Sequence, residues 1–474
     1  MSLTRQVASN TFIQLLGRAA SMVFGLLTVG LMTRYLGQEG FGQYTTIIAF
    51  LQFFGIIVDF GLAVIIVQLI SARPAETAKL TSNIFTMRLL TALVFFALAP
   101  FLVWLFPYPL IIKWGVAVTA AAMLFTSLNQ LVVGLFQREL KMGRATIAEV
   151  TGRAIIFLGT LLAVWQGQGL LAIMAAVVVG NFFNFCLSFY FSRSITKIKL
   201  AFDWPVWREV LQKTWPIGLS IVFNLIYFKA DTVILSLYRS QAEVGVYGAA
   251  YKILEVLSVI PYMFMGLILP ILSAAWARGE TARFKTVMQK AWDFMAIVTL
   301  PVLFGGLALA ESLIVFVAGP EFAAAGPVLR ILLLATAAIY LSTVFNHAVV
   351  ALGAQKKMLW GFAVVAVISL IGYFWLIPLY SYTAAAGITV VGEVLILLIS
   401  GAVIYRAVGS LVNFKIFLRA FLASLVMACF LWLGQGNGWG LGWLLLLGVA
   451  VYAAALYIVG GVRKELLVEL LRRS

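Results

Sequence analysis

Long apolar runs separated by short polar stretches make up this chain. A helix that crosses a bilayer needs roughly 20 mostly apolar residues, and fourteen runs approach or exceed that length. The first six lie near 8–33, 42–70, 83–106, 113–136, 146–165 and 169–192. Six more lie near 215–237, 244–276, 291–317, 325–352, 358–377 and 382–405, and a last pair near 416–433 and 439–460. The closing stretch "GVRKELLVELLRRS" gathers Leu466, Leu467, Leu470 and Leu471 on one helical face with basic residues elsewhere. That pattern predicts a helix lying on a membrane surface.

Composition agrees with the runs. Of the 474 residues 63% are apolar and 11% charged, and the mean hydropathy is +1.07. A soluble domain carries about 45–50% apolar and about 25% charged residues, so this much apolar surface belongs in a bilayer. The first run begins near Val7 after one basic residue and shows no cleavage site, so it reads as a span and not a leader. Cys186 and Cys429 both fall inside apolar runs and read as small packing residues, with no disulfide or metal framework.

The net charge of +16 changes the picture only through its distribution. With the amino terminus inside, inner loops and ends hold 24 of the 33 Lys and Arg, outer loops hold three (Arg34, Lys113 and Arg239), and six lie within spans. Basic residues gather on the cytoplasmic side of membrane proteins, so both termini are expected there and nucleic acid is not an expected partner.

Two outer connections share wording. "RYLGQEGFGQY" at 34–44 and "LYRSQAEVGVY" at 237–247 align at a shift of 203, which matches Gln38 with Gln241, Gly42 with Gly245 and Tyr44 with Tyr247. "ISA" at 70–72 and "LSA" at 272–274 close the helices that follow. A shift of six spans preserves orientation, so the halves form a parallel repeat about an axis along the membrane normal. The expected fold is therefore an all-α polytopic membrane protein of about fourteen transmembrane helices. An N-terminal lobe of helices 1–6 covers 1–192, a cytoplasmic linker 193–213, and a C-terminal lobe of helices 7–12 covers 214–405. Residues 406–474 supply the last helix pair and the interfacial tail. Two facing lobes suit alternating access around a central site.

Ionisable groups inside spans cost about 2.5–3.5 kcal/mol each on insertion scales. Arg18 stands ten residues into the first run, about 15 Å deep at 1.5 Å per residue, and Lys229 stands near the middle of the seventh. Both are candidates to line a wet cavity, followed by Arg153 and Lys252, each about eight residues deep. Arg88 and Arg330, close to the ends of their runs, are expected to snorkel or pair structurally. The acids Asp59, Asp231, Glu255 and Glu393 are candidates for charge balance or for proton or cation coupling. Glu255 sits three residues from Lys252 on one helical face. Asp231 points away from Lys229 and is expected to find a basic partner on another helix. Asp59 and Glu393 have no local partner. His347 is expected to make a packing hydrogen bond. Fixed positive charge in a low-dielectric path attracts phosphate strongly.

Several stretches resemble the polysaccharide-biosynthesis flippase family of the multidrug/oligosaccharidyl-lipid/polysaccharide exporter superfamily. They are "QLLGRAAS" in the first run, "TRYLGQEGFGQYTTIIAF" at the first elbow and "KADTVILSLYRSQAEVGVYGAAYKI" across the second. "GPEFAAAGPVLRILL" at 319–333 and "ALGAQKKMLW" at 351–360 add to the likeness. The resemblance implies a cytoplasmic-membrane protein that moves undecaprenyl-pyrophosphate-linked oligosaccharide, destined for O-antigen, exopolysaccharide or capsule, to the outer leaflet. Membrane lipid, a polysaccharide polymerase and a chain-length regulator are its implied partners. It also implies a cationic cavity to which Arg18, Lys229 and Lys252 belong by position, whereas Arg153 rests on depth. No cofactor or metal is implied. A multidrug extruder of the same superfamily is the alternative, and a membrane glycan polymerase or glycosyltransferase is a more distant one. Outer loops contribute only Glu39, Glu243 and Glu321, and Asp-x-Asp does not occur, which argues against paired acid–base chemistry.

Overall fold

The computed structural model describes residues 3–461; the expected interfacial tail, from residue 462 onward, lies outside them. Backbone polar groups in hydrocarbon must be satisfied within the segment, and a helix does so. The described residues accordingly form thirteen α-helices and no strand. They are α1 (Leu3–Asp59), α2 (Leu62–Ala72), α3 (Thr77–Leu102), α4 (Leu110–Arg138), α5 (Met142–Trp165), α6 (Leu170–Ser192), α7 (Trp204–Tyr238), α8 (Gln241–Ala277), α9 (Thr281–Ala318), α10 (Ala325–Ala351), α11 (Gln355–Val408), α12 (Lys415–Gly436) and α13 (Leu441–Ile458). Among the described residues eleven helical stretches are long and apolar enough to cross a membrane.

Breaks fall in places that hydropathy alone does not mark. The elbow at 34–44 stays helical except at Gly37 (φ 65°, ψ −172°), and α11 turns at Ser381 (φ 53°, ψ −139°), three residues after Pro378. Conversely, the run at 42–70 is not one helix. Phe60 (φ 35°) and Gly61 (φ 86°) divide it into the end of α1 and the start of α2. Asp59 Oδ1 accepts the Ala63 N–H at 3.3 Å across the break and satisfies one of the donors that a helix start exposes. The Phe60 ring lies against the Cα of Gly218 in α7, where a Cβ would come within 2.6 Å of it.

The chain divides into two compact units, Met1–Gly248 and Ala249–Ser474. In the first, α4 packs on α1, α3 and α6, α5 bridges α1 and α6, and α7 lies along α1, α2 and α3. Leu51, Phe96, Val116 and Met174 fill one part of its core, and Ile66, Leu80, Leu131 and Val210 another. In the second, α10 packs between α9 and α11, while α12 and α13 pair against α9. Tyr452 of α13 donates to the Ile297 carbonyl at 2.7 Å.

Two connections within the first unit are built with care. After α6 the chain runs extended along α3, where every second amide meets a polar side chain. Lys199 N–H donates to Ser82 Oγ (3.1 Å), Ala201 N–H to Thr86 Oγ1 (2.9 Å) and Asp203 N–H to Asn83 Oδ1 (2.7 Å). Ion pairs fasten this strap: Lys79 to Asp203 at 2.6 Å, and Arg73 and Lys213 to Glu209, both at 2.7 Å. At the opposite end the two elbows touch reciprocally. A Cβ on Gly42 would stand 1.6 Å from the Gln241 carbonyl oxygen, and one on Gly245 would stand 2.0 Å from that of Gln38. Thr46 Oγ1 also donates to Gln241 Oε1 at 2.7 Å. The residues that the 203-residue shift equates therefore exchange equivalent contacts.

Candidate functional site

Charges inside the first unit sort into engaged and exposed ones. Arg88 of α3 is 0% exposed and meets Asp59 at 2.7 Å, where α1 ends at its break. Its Nε donates to Ser127 Oγ (2.9 Å) and its Nη2 to Gln130 Oε1 (2.7 Å), both on α4. Arg88 thus pairs and does not snorkel, and Asp59 has the partner that its local sequence lacks. Asp231 of α7 is buried and accepts hydrogen bonds from the Tyr247 hydroxyl and from Thr232 Oγ1 (3.1 Å). Sequence reasoning expected a basic partner from another helix; the Tyr247 hydroxyl of the second elbow is a partner it did not foresee. Lys229 is half-buried, acts electrostatically on Asp231 and places its ammonium 5.6 Å from the Phe228 ring centroid.

Arg18 and Arg153 are exposed, and among the described residues neither makes a hydrogen bond or ion pair. Their helices lie side by side in the same direction. Gly17 sits against Thr146, whose Cγ2 would be 1.7 Å from a Cβ there, and Phe24 meets Phe157 with ring centroids 6.0 Å apart. Thr146 belongs to the second turn of α5. Arg18 therefore lies near the strap end of the unit and not at mid-depth; α1 simply starts well before the apolar run becomes a crossing.

The elbow end gives a common level from which to count. The Tyr35 hydroxyl donates to the Gln168 carbonyl at 3.0 Å, so the α5–α6 turn is level with the first elbow. At about 1.5 Å per residue, Arg18 is nineteen residues or about 28 Å from Gly37. Arg153 is twelve residues or about 18 Å from Trp165, and Lys229 is nine residues or about 14 Å from Tyr238. Arg153 and Lys229 share a depth, and Arg18 lies roughly 10 Å or more toward the strap end.

In the second unit Lys252 and Glu255 pair at 2.7 Å. Arg330 is exposed and its Nε donates to the Leu307 carbonyl at 3.3 Å. His347 Nδ1 meets the Thr343 carbonyl at 2.8 Å, the packing contact expected of it. Glu393 is 4% exposed. Among the described residues no group of three His, Cys, Asp or Glu is placed to hold a metal ion. Both cysteines are free thiols.

Sequence reasoning missed the Ser127–Gln130 pair that receives Arg88, and the Ser82–Asn83–Thr86 set that receives the strap. Polar residues repeated three and four apart in otherwise apolar helices were the available signal.

The profile of the family described as polysaccharide biosynthesis protein matches residues 7–276, and that described as MatE matches residues 216–379. A protein named for O-antigen transport in Shigella flexneri is 23% identical over 64% of this chain and 74% of its own. The succinoglycan biosynthesis transport protein ExoT of Rhizobium meliloti is 23% identical over 79% of this chain and 80% of its own. Among solved structures, the lipid II flippase MurJ in an inward closed conformation superposes with a TM-score of 0.78 at 16% identity, covering 96% of this chain and all of that one.

Proposed function

The chain belongs to the family of polysaccharide biosynthesis proteins, and on that premise we propose that it is a flippase for pyrophosphate-linked oligosaccharide. The observation that carries the reading is the pair of exposed arginines on adjacent helices, Arg18 and Arg153, which among the described residues make no hydrogen bond or ion pair, whereas Asp59 and Asp231 are engaged. Lipid-linked oligosaccharide on an undecaprenyl pyrophosphate carrier is the substrate class that suits fixed cations in a low-dielectric path. The names of the relatives, for O-antigen, succinoglycan and lipid II, support it.

In this reading Arg18 receives the pyrophosphate at the mouth and Arg153 and Lys229 hold it at mid-depth. Lys252, with its charge partly offset by Glu255, is an auxiliary contact. The polyprenyl tail stays in lipid, and no bond of the substrate is made or broken. Counting the two broken stretches, α1 and α11, twice and adding α7 gives fourteen crossings. Both ends are cytoplasmic in the cytoplasmic membrane, and the work divides between lobes at 1–192 and 214–405. A polymerase and a chain-length regulator are the natural consumers of the product.

The test is flipping of a fluorescent pyrophosphate-linked oligosaccharide in proteoliposomes. Loss of a hydrogen bond to a charged group costs about 1.5–3 kcal/mol, so Arg153→Ala and Lys229→Ala each lower the rate about tenfold or more. Arg18→Ala mainly raises the substrate concentration needed. Unchanged rates in all three refute the site. The MatE match at 216–379 favours one second reading, a drug extruder. Export of a cationic dye without flipping by the intact protein decides for it.

A further inference from the structure

Glu393 differs from Asp59, Asp231 and Glu255, the other acids that the sequence placed without evident reason deep in spans. Asp59 is paired with Arg88, Asp231 is bonded by Tyr247 and Thr232, and Glu255 is paired with Lys252. Glu393, in the middle of the second half of α11, is buried, and among the described residues it has no ion pair or hydrogen bond. An ionised carboxylate without a partner in such a place is disfavoured by desolvation, and a proton removes that cost. The two protonation states of this residue therefore differ sharply in energy, which is what an ion-driven cycle requires of a coupling group.

The groups around it form a graded series within the second unit. From α8, Tyr262 comes near the Glu393 carboxyl and the side chain of Thr343 on α10. The Tyr262 ring lies 6.4 Å, centroid to centroid, from the ring of His347. His347 Nδ1 must donate in its 2.8 Å contact with the Thr343 carbonyl, since a carbonyl only accepts. The other ring nitrogen, Nε2, is left as a proton acceptor, four residues from the end of α10 at Ala351. From the first half of α11, the Tyr373 hydroxyl stands 3.4 Å from Thr389 Oγ1, one helical turn before Glu393. The charged groups of α8, Lys252 and Glu255, are engaged with each other two turns from Tyr262. A single carboxylate with hydroxyl neighbours suits a proton better than a metal ion, which needs several oxygen ligands.

From this arrangement we infer that Glu393 is a proton-binding site of the second unit, reached from the His347 end through the Tyr262 hydroxyl. Binding converts the Glu393 carboxylate to the acid, and release returns the proton by the same groups. The inference deepens the proposed flippase reading by naming its coupling ion, and it rests on that reading only for what the proton drives.

Protonation can be read directly. The full-length protein in lipid nanodiscs is exposed to dicyclohexylcarbodiimide, which reacts with buried carboxyls in their acid form, at steps between about pH 5 and 9. The Glu393 peptide is then quantified by mass spectrometry. Modification of Glu393 is expected to fall about tenfold per pH unit above its midpoint. Tyr262→Phe and His347→Ala are expected to slow the response to a pH jump without moving the midpoint. Modification that is absent, or constant across the range, overturns the inference.

In proteoliposomes a one-unit pH step across the membrane is expected to change the flipping rate by up to about tenfold for one coupled proton. Glu393→Gln, close in shape, is expected to abolish that change. A full response in correctly inserted Glu393→Gln protein overturns the inference. Intact protein that shows pH-dependent modification of Glu393 but flips no oligosaccharide leaves the proton site standing and sinks the flippase reading.

Discussion

Arg88 makes the energetic argument of the first unit at the level of one side chain. Its guanidinium is fully buried and serves three partners on two other helices. Removing one member of such a pair leaves a buried charge without compensation, at about 3–5 kcal/mol, whereas replacing both by apolar groups is often near neutral. Arg88→Met is therefore expected to lower the thermal unfolding midpoint in detergent markedly, and Asp59→Leu with Arg88→Met to recover most of the loss. Equal stability of the single and double variants counts against the pair. The sequence singled out both residues as charges that need a reason, but it did not join them. Their meeting depends on the break at Phe60–Gly61, which ends α1 at Asp59, and on how α3 crosses beside it. Depth failed for a related reason. Hydropathy locates where an apolar run begins, while only the contact of Gly17 with Thr146 locates Arg18 against its neighbours.

At the scale of elements, the elbows and the strap hold opposite ends of the first unit, and only the elbows were legible. Their shared words could be aligned because the close approach of two backbones demands glycine at both Gly42 and Gly245. The strap has no such signature, since any non-proline residue presents the amides that Ser82, Asn83 and Thr86 receive. Alternating access requires the elbows to separate, and a lock tests it. A Cβ on Gly248 would lie 3.2 Å from that of Thr45, close to the roughly 3.5–4.5 Å of a disulfide. Thr45→Cys with Gly248→Cys is expected to cross-link on oxidation, to stop flipping, and to recover with reductant; free flipping by the cross-linked protein excludes elbow opening as a step. The strap carries a pH expectation. Hydrogen bonding from Lys79 holds the Asp203 carboxyl below its usual range, and that from Lys213, then Arg73, does the same for Glu209. A carboxylate depressed in the folded state contributes above its unfolded pKa and loses that contribution as pH falls through the lower folded value. Hydrogen exchange at the Asp203 amide should thus show the strap held under mildly acidic conditions and loosened only below the ordinary carboxylate range. Asn83→Ala should loosen it at neutral pH.

For the whole molecule, direction is the property that matters, and it was read from loop charge alone. The strap region holds Arg193, Lys197, Lys199, Arg208 and Lys213, and the turns after α4 and α8 hold Lys141, Arg144, Arg278 and Arg283, while the second elbow holds one arginine, Arg239. A cytoplasmic strap end is what the proposed function takes from this asymmetry, by the rule that basic loops stay inside. On the proposed function it would also set the order in which a pyrophosphate meets the cations, because Arg18 lies toward that end and Arg153 and Lys229 lie deeper. With Cys186 and Cys429 replaced, Lys141→Cys and Arg278→Cys should resist a membrane-impermeant maleimide added outside intact cells, and Arg239→Cys should react. The reverse pattern would put Arg18 at the outer mouth. The same ladder of cations would then describe uptake instead of export, and the proposed direction of flipping would fall even if the site survived.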